Sequence, residues 1–396
     1  MGSYEITTSS GLLRPRLSPM AILLVLLLFF SAFLALSGCA KDGQGASQGA
    51  GQGGSGFSDD TVRRLDRAIA EQMRAGDLPG VVVGVWVPGE GEYVVARGKA
   101  DLETGEKRDV DDPFRIGSIT KTFVATAVLQ LVDEGKLSKS DKLAKWYPDF
   151  PNAEKITVDH LLSMRSGIVD PPWEDLIGTL TSPRDAIEAS ADLGGVFLPP
   201  GQRTEYSNTN YVILAEIVGK VSGKDTGDRI DEAILEPLGL RDTLYPTDST
   251  LPGDLRGYTL DPSTGELKDV TGFDPFAEGG SGAMISDASD LKVWAEAVCT
   301  GRLLKPETHK ARLRTHHLSG APGFVGYGAG IKKVGEFCGH DGPQPGFSSE
   351  MWYLPEEDAT IVVSVNRDYR FPNPSPSESI ISEAVINILF PKHVEG

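Results

Sequence analysis

Residues 111–135 read DDPFRIGSITKTFVATAVLQLVDEG, an irregular stretch that runs into a long apolar helix. Large apolar residues recur at helical spacing from Ile119 to Val132, after which the pattern stops. Ser118 and Lys121 stand at the start of this helix, three residues apart, so one turn places both side chains on the same face. The stretch therefore predicts a serine at a helix N-terminus with a lysine beside it.

The lysine in this pattern could act as the base for the serine. The helix N-terminus carries unpaired N–H groups and the positive end of the dipole, and together with partial burial this should lower the pKa of Lys121. A neutral amine could then take the hydroxyl proton of Ser118 at neutral pH. The alternative is a helix-capping serine and a solvated lysine, because Ser289-Asp290-Leu291-Lys292 has the same spacing.

Composition restricts the class of protein. The chain has 396 residues, of which 40% are hydrophobic, enough for a sizeable buried core. Its formal net charge is -18, so a strongly basic surface is not expected and no nucleic-acid partner is predicted. Three cysteines in a chain of this length exclude a disulfide-scaffold protein and leave one bridge possible.

The start of the chain has the pattern of an export signal. Residues 20–36 read MAILLVLLLFFSAFLAL and follow Arg14 and Arg16, as in the apolar and positive regions of a signal peptide. Leu36-Ser37-Gly38-Cys39 follows at once and resembles the lipobox of bacterial lipoproteins, whose cysteine becomes the lipidated N-terminus. A single transmembrane anchor is the alternative, since the run is near the lower length limit for spanning.

These patterns divide the chain into three parts. We expect a lipoprotein signal peptide over residues 1–38, a lipid on Cys39, and a Gly/Ser/Gln-rich tether over residues 39–57. The folded domain is expected over residues 58–396, with a helical insert at about 134–280. The expected location is extracytoplasmic, at the cell membrane through the lipid anchor.

Periodicity in the folded part predicts strands on either side of a helical region. Ser58 offers an N-cap to a first helix, and β-branched runs at 81–87 and 92–96 predict a hairpin. Helices are also predicted over 156–164, 211–221, 288–298 and 380–389, and strands over 327–334, 346–354 and 360–365. The expected fold class is α/β, an antiparallel sheet flanked by helices with an inserted all-helical subdomain.

Two patterns downstream could complete a site with Ser118. Tyr206-Ser207-Asn208 precedes a helix, and its phenol and amide could face one cleft, although an ordinary turn is the alternative. Gly339-His340-Asp341-Gly342 leads into a strand. Lys333-Val334-Gly335 is a rival for this third pattern, but Gly335 and Glu336 are typical of a hairpin turn, whereas His340 is expected at the start of the next strand.

The three patterns follow the order found in penicillin-recognising serine hydrolases. From Ser58 to Lys392 the chain resembles class C β-lactamases and the DD-carboxypeptidases and esterases that carry His-x-Gly as third motif. The resemblance implies a β-lactamase/transpeptidase-like fold and catalysis through an acyl-enzyme. It implies no cofactor and no metal, and we interpret His316 and His317 as surface histidines.

The resemblance also implies roles for the motif residues. Ser118 is the acylated nucleophile and Lys121 its base or proton relay. Tyr206 is a general base or acid toward the leaving group, and Asn208 positions Lys121 and the substrate amide. His340 replaces the usual lysine as the electrostatic partner of Tyr206. The substrate-binding residues expected after it are Asp341, Gly342 and Gln344.

Three positions depart from the family pattern. Met164 stands where many relatives have histidine, which we interpret as a packing variation. Asp341 replaces a threonine that helps to bind a substrate carboxylate, and it would repel that group unless it is protonated or paired with a cation. Pro343 stands where a backbone N–H, with that of Ser118, would hold the oxyanion, and proline has none. Gln344 could supply a substitute through its side chain or backbone.

A disulfide is expected between Cys299 and Cys338, because both lie in the exported part of the chain. Cys299 ends a predicted helix and Cys338 begins the strand that carries His340, so the bridge would fix the third motif. Two buried free thiols are the alternative.

The expected function is a membrane-tethered serine hydrolase that acts through Ser118 on D-Ala-D-Ala-type wall peptides or β-lactams. One alternative, favoured by Asp341, is an esterase or amidase for small uncharged acyl substrates. Another is a catalytically weak protein that binds wall peptides. The expected partners are the substrate and the membrane, and the expected state is a monomer.

Overall fold

A computed structural model describes residues 56–172, 179–194, 199–368 and 379–393. The predicted signal peptide, Cys39 and nearly all of the predicted tether lie outside these residues. Within the described ranges, every helix is too short or too polar to cross a membrane.

An antiparallel sheet forms the centre of the described structure. The strands are β1 Gly80–Val87, β2 Gly91–Gly98, β3 Phe114–Arg115, β4 Tyr258–Leu260, β5 Leu267–Asp269, β6 Ile285–Ser286, β7 His316–His317, β8 Val325–Tyr327, β9 Lys332–Val334, β10 Phe337–Asp341, β11 Ser348–Leu354 and β12 Ala359–Val365. Eight of them form one sheet in the order β2-β1-β12-β11-β10-β9-β8-β7, with β3–β6 and β4–β5 as separate pairs.

Helices cover both faces of this sheet. The described α-helices are Asp59–Ala75, Thr120–Asp133, Val158–Leu162, Pro183–Asp192, Thr209–Ser222, Thr226–Ile230, Glu236–Leu238, Ala288–Thr300, Pro306–Arg312 and Ser379–Leu389. Along β1, Val81, Val83 and Val85 pack in a cluster with Leu65 of the first helix, whereas Val82 belongs to the cluster on the other face. Burial on both faces explains why β1 is apolar throughout.

The predicted fold class is confirmed, with two differences in detail. The stretch predicted as one strand over 327–334 is two strands, because a turn closed by the N–H of Gly328 and the carbonyl of Ile331 separates β8 from β9. The helical insert also contains the β4–β5 hairpin, so it is mainly rather than entirely helical. Asp261 stabilises the turn of this hairpin by accepting the N–H of Ser263 at 2.8 Å.

The predicted disulfide is confirmed. Cys299 and Cys338 are bridged with Cα atoms 6.0 Å apart. The bridge joins helix Ala288–Thr300 to β10, the strand that carries His340. His340 lies near the end of that strand, not at its start as predicted, so the third motif lies where the chain leaves the sheet.

Candidate active site

Ser118 lies in a single 3-10 turn, Gly117–Ile119, directly before helix Thr120–Asp133. Gly117 has φ of +46°, and a Cβ on it would stand 2.7 Å from the carbonyl oxygen of Gly342. Only glycine fits both the left-handed backbone and this close approach. The turn therefore brings the predicted nucleophile against the end of the third motif.

Lys121 is fully buried and points back at the serine, as its spacing predicted. Its Nζ lies 2.8 Å from Ser118 Oγ, 2.8 Å from Asn208 Oδ1 and 2.6 Å from the carbonyl oxygen of Ser281. Burial lowers the pKa of Lys121 to about 7, against the opposing effect of Glu278. In the neutral form, the two amine hydrogens go to Asn208 and Ser281, and the lone pair accepts the Ser118 hydroxyl.

Asp170 holds the second motif in place. Its carboxylate accepts the backbone N–H groups of Asn208 and Thr209 at 2.8 and 2.9 Å, the Ser207 hydroxyl at 2.7 Å and the Asn208 side-chain amide at 3.1 Å. A carboxylate at the start of helix Thr209–Ser222 also suits the helix dipole. Because the amide nitrogen of Asn208 is bound to Asp170, its oxygen faces Lys121.

Met164 packs under the same loop. It has φ of +57°, a strained value for a side chain of this size. Its carbonyl accepts the N–H of Glu205 at 2.9 Å, and its Sδ lies 3.5 Å from the N–H of Ser207. The residue that replaces the family histidine therefore supports the second motif directly.

Tyr206 faces the nucleophile as a protonated phenol. Burial raises its pKa well above the usual value, Asp341 adds to the rise, and a hydrogen bond with Ser118 opposes it. Its ring packs edge-on against Tyr327, with centroids 5.9 Å apart. Of the two roles predicted for Tyr206, the raised pKa suits the acid, which donates a proton, better than the anionic base.

His340, predicted as the electrostatic partner of Tyr206, carries no positive charge. The side chain is fully buried, and burial together with Lys332 lowers its pKa to about 3. Its ring nitrogens lie 3.2 Å from the Tyr327 hydroxyl and 2.6 Å from the carbonyl oxygen of Asp341. His340 is therefore neutral, and it fixes Tyr327, which in turn packs against Tyr206.

Lys332 is the cation beside the predicted site. Its Nζ is paired with the Asp341 carboxylate and lies 5.5 Å from the centroid of the Tyr206 ring. Burial would raise the pKa of Asp341, but the paired Lys332 holds it below its usual value. Asp341 would not repel a substrate carboxylate if it were protonated or paired with a cation. The structure shows the pairing with a cation.

These groups surround a cavity of about 300 Å³. Its lining residues are Ser118, Tyr206, Asn208, Glu278, Leu318, Lys332, Asp341, Pro343, Gln344 and Pro345. The structure therefore brings together Ser118, Tyr206 and Asn208, with Lys121 beneath them. It also adds Glu278 and Lys332, which the motifs did not indicate.

Pro343 lies where the second oxyanion donor was expected. The N–H of Gly342 donates to the carbonyl of Ser349 at 2.7 Å, and the carbonyl oxygens of Gly342 and Pro343 both lie close to Gly117, so position 343 borders the Ser118 turn. Gln344 does not replace it. Its backbone N–H donates to Phe347, and its side-chain amide lies 3.0 Å from the carbonyl oxygen of Gly282.

The second S-x-x-K pattern is structural. Ser289 donates to Asp287, the N-cap of its helix, at 3.1 Å. Lys292 lies over the ring of Trp86 instead of approaching a serine. The preference for Ser118 is therefore supported by geometry.

Potential metal ligands lie together at one place in the described chain. The exposed Glu336 and Glu356 and the less exposed His393 form a group outside the lining of the cavity, and His393 is already hydrogen-bonded to Glu336. His316 and His317 are exposed on β7, as predicted.

Comparison with known proteins identifies the family. The Beta-lactamase family profile matches residues 65–383, and the chain belongs to this family of serine hydrolases. In sequence, it is 29% identical over 300 residues to the putative penicillin-binding protein PbpX of Bacillus subtilis (strain 168), covering 74% of this chain and 72% of PbpX.

Two further similarities have different coverage. Protein flp of Staphylococcus aureus (strain N315) is 26% identical over 324 residues, which cover 78% of this chain but only 64% of flp. A D-amino acid amidase from Ochrobactrum anthropi SV3, solved with L-phenylalanine amide, superposes with a TM-score of 0.74 at 27% identity. That match covers 84% of this chain and 98% of the amidase.

Proposed function

We propose that this chain is a serine amidohydrolase that cleaves amides and esters of small acyl groups, including D-amino acid amides, through an acyl-enzyme on Ser118. The observation that carries the proposal is the buried Lys121, whose Nζ lies 2.8 Å from Ser118 Oγ and whose pKa is lowered by burial to about 7. A substantial fraction of the lysine side chains is then neutral near pH 7 and can act as the base.

In the proposed reaction the protons move in steps. Ser118 Oγ attacks the carbonyl carbon while its proton moves to Lys121 Nζ, and the carbon–nitrogen or carbon–oxygen bond then breaks. Tyr206, protonated at rest, donates to the leaving group and recovers its proton from Lys121, so the serine proton ends on the leaving group. Water then attacks the ester on Ser118, with the same two residues moving its proton.

The charges around the cavity support a substrate without a carboxylate next to the scissile bond. Lys332 is the cation among the described lining residues, and Asp341 is paired with it. His340 is neutral, and Glu278 adds a further carboxylate. A carboxylate-bearing D-Ala-D-Ala peptide or β-lactam would find Lys332 already paired with Asp341, whereas a D-amino acid amide carries an ammonium group and does not need this cation.

Replacing Asp341 with threonine tests this choice of substrate. The change frees Lys332 and restores the hydroxyl of the family pattern. We expect kcat/KM for a peptide ending in D-Ala-D-Ala to rise about tenfold, while that for D-alanine p-nitroanilide rises less. Asp254→Thr, at an exposed aspartate, is the matched control and should change neither value.

The same experiment also tests two other functions. Cleavage of wall peptides or β-lactams is the second candidate, supported by the similarity to PbpX. It would replace our proposal if the unaltered enzyme preferred the carboxylate substrate and Asp341→Thr left that preference unchanged. Stoichiometric acylation of Ser118 without turnover of either substrate would instead indicate a wall-peptide binder.

We also propose that the enzyme is exported and held at the cell membrane by a lipid on Cys39. The pattern of residues 20–39 supports this location. We expect Cys39→Ala to abolish incorporation of labelled palmitate and to shift the protein from the membrane fraction or block its processing. Unchanged labelling of the Cys39→Ala protein would refute the anchor.

A further inference from the structure

A second cavity lies beside the proposed active site. It has a volume of about 460 Å³ and is lined by Arg165, Gln202, Arg203, Thr204, His316, His317, Ser319 and Gly320. It differs from the catalytic cavity in charge, because its ionised lining side chains are two arginines. In a chain with a net charge of -18, two guanidinium groups in one cavity are a local reversal of sign.

The two cavities share a wall. Thr204 and Leu318 form a parallel bridge, and the N–H of Ser319 donates to the carbonyl of Thr204 at 2.9 Å. Leu318 lines the catalytic cavity, whereas His317 and Ser319 on either side of it line the basic one. Tyr206 lies two residues beyond Thr204. A peptide bound at Ser118 could therefore continue into the basic cavity.

The two arginines are held differently. The Nη2 of Arg165 donates to the carbonyl of Gly201, and its Nη1 lies 3.3 Å from His316 Nε2. Partial desolvation and Arg165 lower the pKa of His316, and its Nε2 accepts from Arg165, because a guanidinium can only donate. Arg203 has a side chain that is 59% exposed, and its Nη2 lies 3.2 Å from the Glu205 carboxylate.

We propose that the basic cavity binds an anionic group, a carboxylate on a peptide substrate that extends beyond the scissile D-amino acid. Guanidinium groups bind carboxylates through paired hydrogen bonds, and Thr204 and Ser319 add polar groups to the wall. Glu205 occupies Arg203 until the substrate carboxylate replaces it. This subsite rests on the proposed function, because its ligand is part of the substrate.

Two matched peptide amides test the subsite, one with glutamate and one with glutamine next to a C-terminal D-alanine amide. We expect kcat/KM to favour the glutamate peptide about 3- to 10-fold at low salt, and the ratio to fall as salt is added. Arg203→Gln should bring the ratio close to one without changing turnover of D-alanine p-nitroanilide. Glu205→Gln should raise the ratio, because it removes the competing carboxylate.

Arg241→Gln, at an exposed arginine elsewhere, is the matched control and should leave the ratio as it is. A ratio of one in the unaltered enzyme, or a ratio insensitive to Arg203→Gln, would overturn the subsite. Free phosphate or citrate that competes equally with both peptides would identify a small-anion site instead, and would also overturn it.

The affinity of both peptides for the Ser118→Ala variant separates the two proposals. If the unaltered enzyme cleaves neither peptide nor D-alanine p-nitroanilide, the proposed function fails. The ratio of the two dissociation constants, and its loss in Ser118→Ala/Arg203→Gln, still tests the cavity. Equal dissociation constants in Ser118→Ala would refute the subsite whatever the enzyme cleaves.

Discussion

Replacing Lys121 with methionine is expected to slow the acylation of Ser118 by about 10²–10⁴-fold, the usual contribution of a positioned general base. Methionine keeps most of the side-chain volume but cannot accept the serine proton. The loss should appear in the rate of acylation by a fluorophosphonate and in kcat/KM for D-alanine p-nitroanilide. Thermal unfolding of the variant should be checked, because Asn208 and Ser281 also lose a partner.

The same residue sets the expected pH dependence. The base acts only when unprotonated, so kcat/KM should rise with pH through about 7, the value to which burial lowers the pKa of Lys121, and then level off. In Lys121→Met this rise should disappear. Lys292→Met, in the second S-x-x-K pattern, is the control and should keep both rate and profile. A Lys121→Met variant with the original rate and profile would show that another group is the base.

Replacing Pro343 with glycine or threonine is expected to accelerate acylation of Ser118, by up to about 10²–10³-fold. This is the range usually lost when one oxyanion donor is removed. Each change adds a backbone N–H that proline lacks, at a position that borders the Ser118 turn. A Cβ on Gly117 would stand 2.8 Å from the carbonyl oxygen of Pro343, which shows how close position 343 lies to the turn.

Burst or single-turnover kinetics with the same chromogenic substrate would measure this acceleration. Pro355→Ala, at an exposed proline in the turn after β11, is the control for adding an N–H elsewhere. Rates of the Pro343 variants equal to that of the unaltered enzyme, with the fold intact, would mean that another donor already serves the oxyanion.

The parts of the site that sequence predicted are those fixed by short spacing. Ser118 and Lys121 meet because one helical turn separates them, and Tyr206 and Asn208 share one loop. Asp170 was missed, although its carboxylate orients Asn208, because a loop contact across 38 residues leaves no local pattern. The one sequence feature that could have indicated Asp170 is its position shortly after Ser166-Gly167, a phrase that matches the family pattern.

The charge state of the third motif could not be read from residue types. His340 is neutral because packing buries it completely, and burial depends on the whole fold. Lys332 reaches Asp341 because the β9–β10 register sets Lys332 opposite Gly339. The rival pattern that was set aside begins one residue later, at Lys333. Lys332, the cation that pairs with Asp341, therefore lies next to the rival pattern but is not part of it.

Peptide mapping by mass spectrometry after treatment with a fluorophosphonate tests the assignment of the nucleophile most directly. We expect one adduct, on the peptide that contains Ser118, which is lost in Ser118→Ala and kept in Ser289→Ala. An adduct on another residue, or labelling that survives in Ser118→Ala, would contradict it.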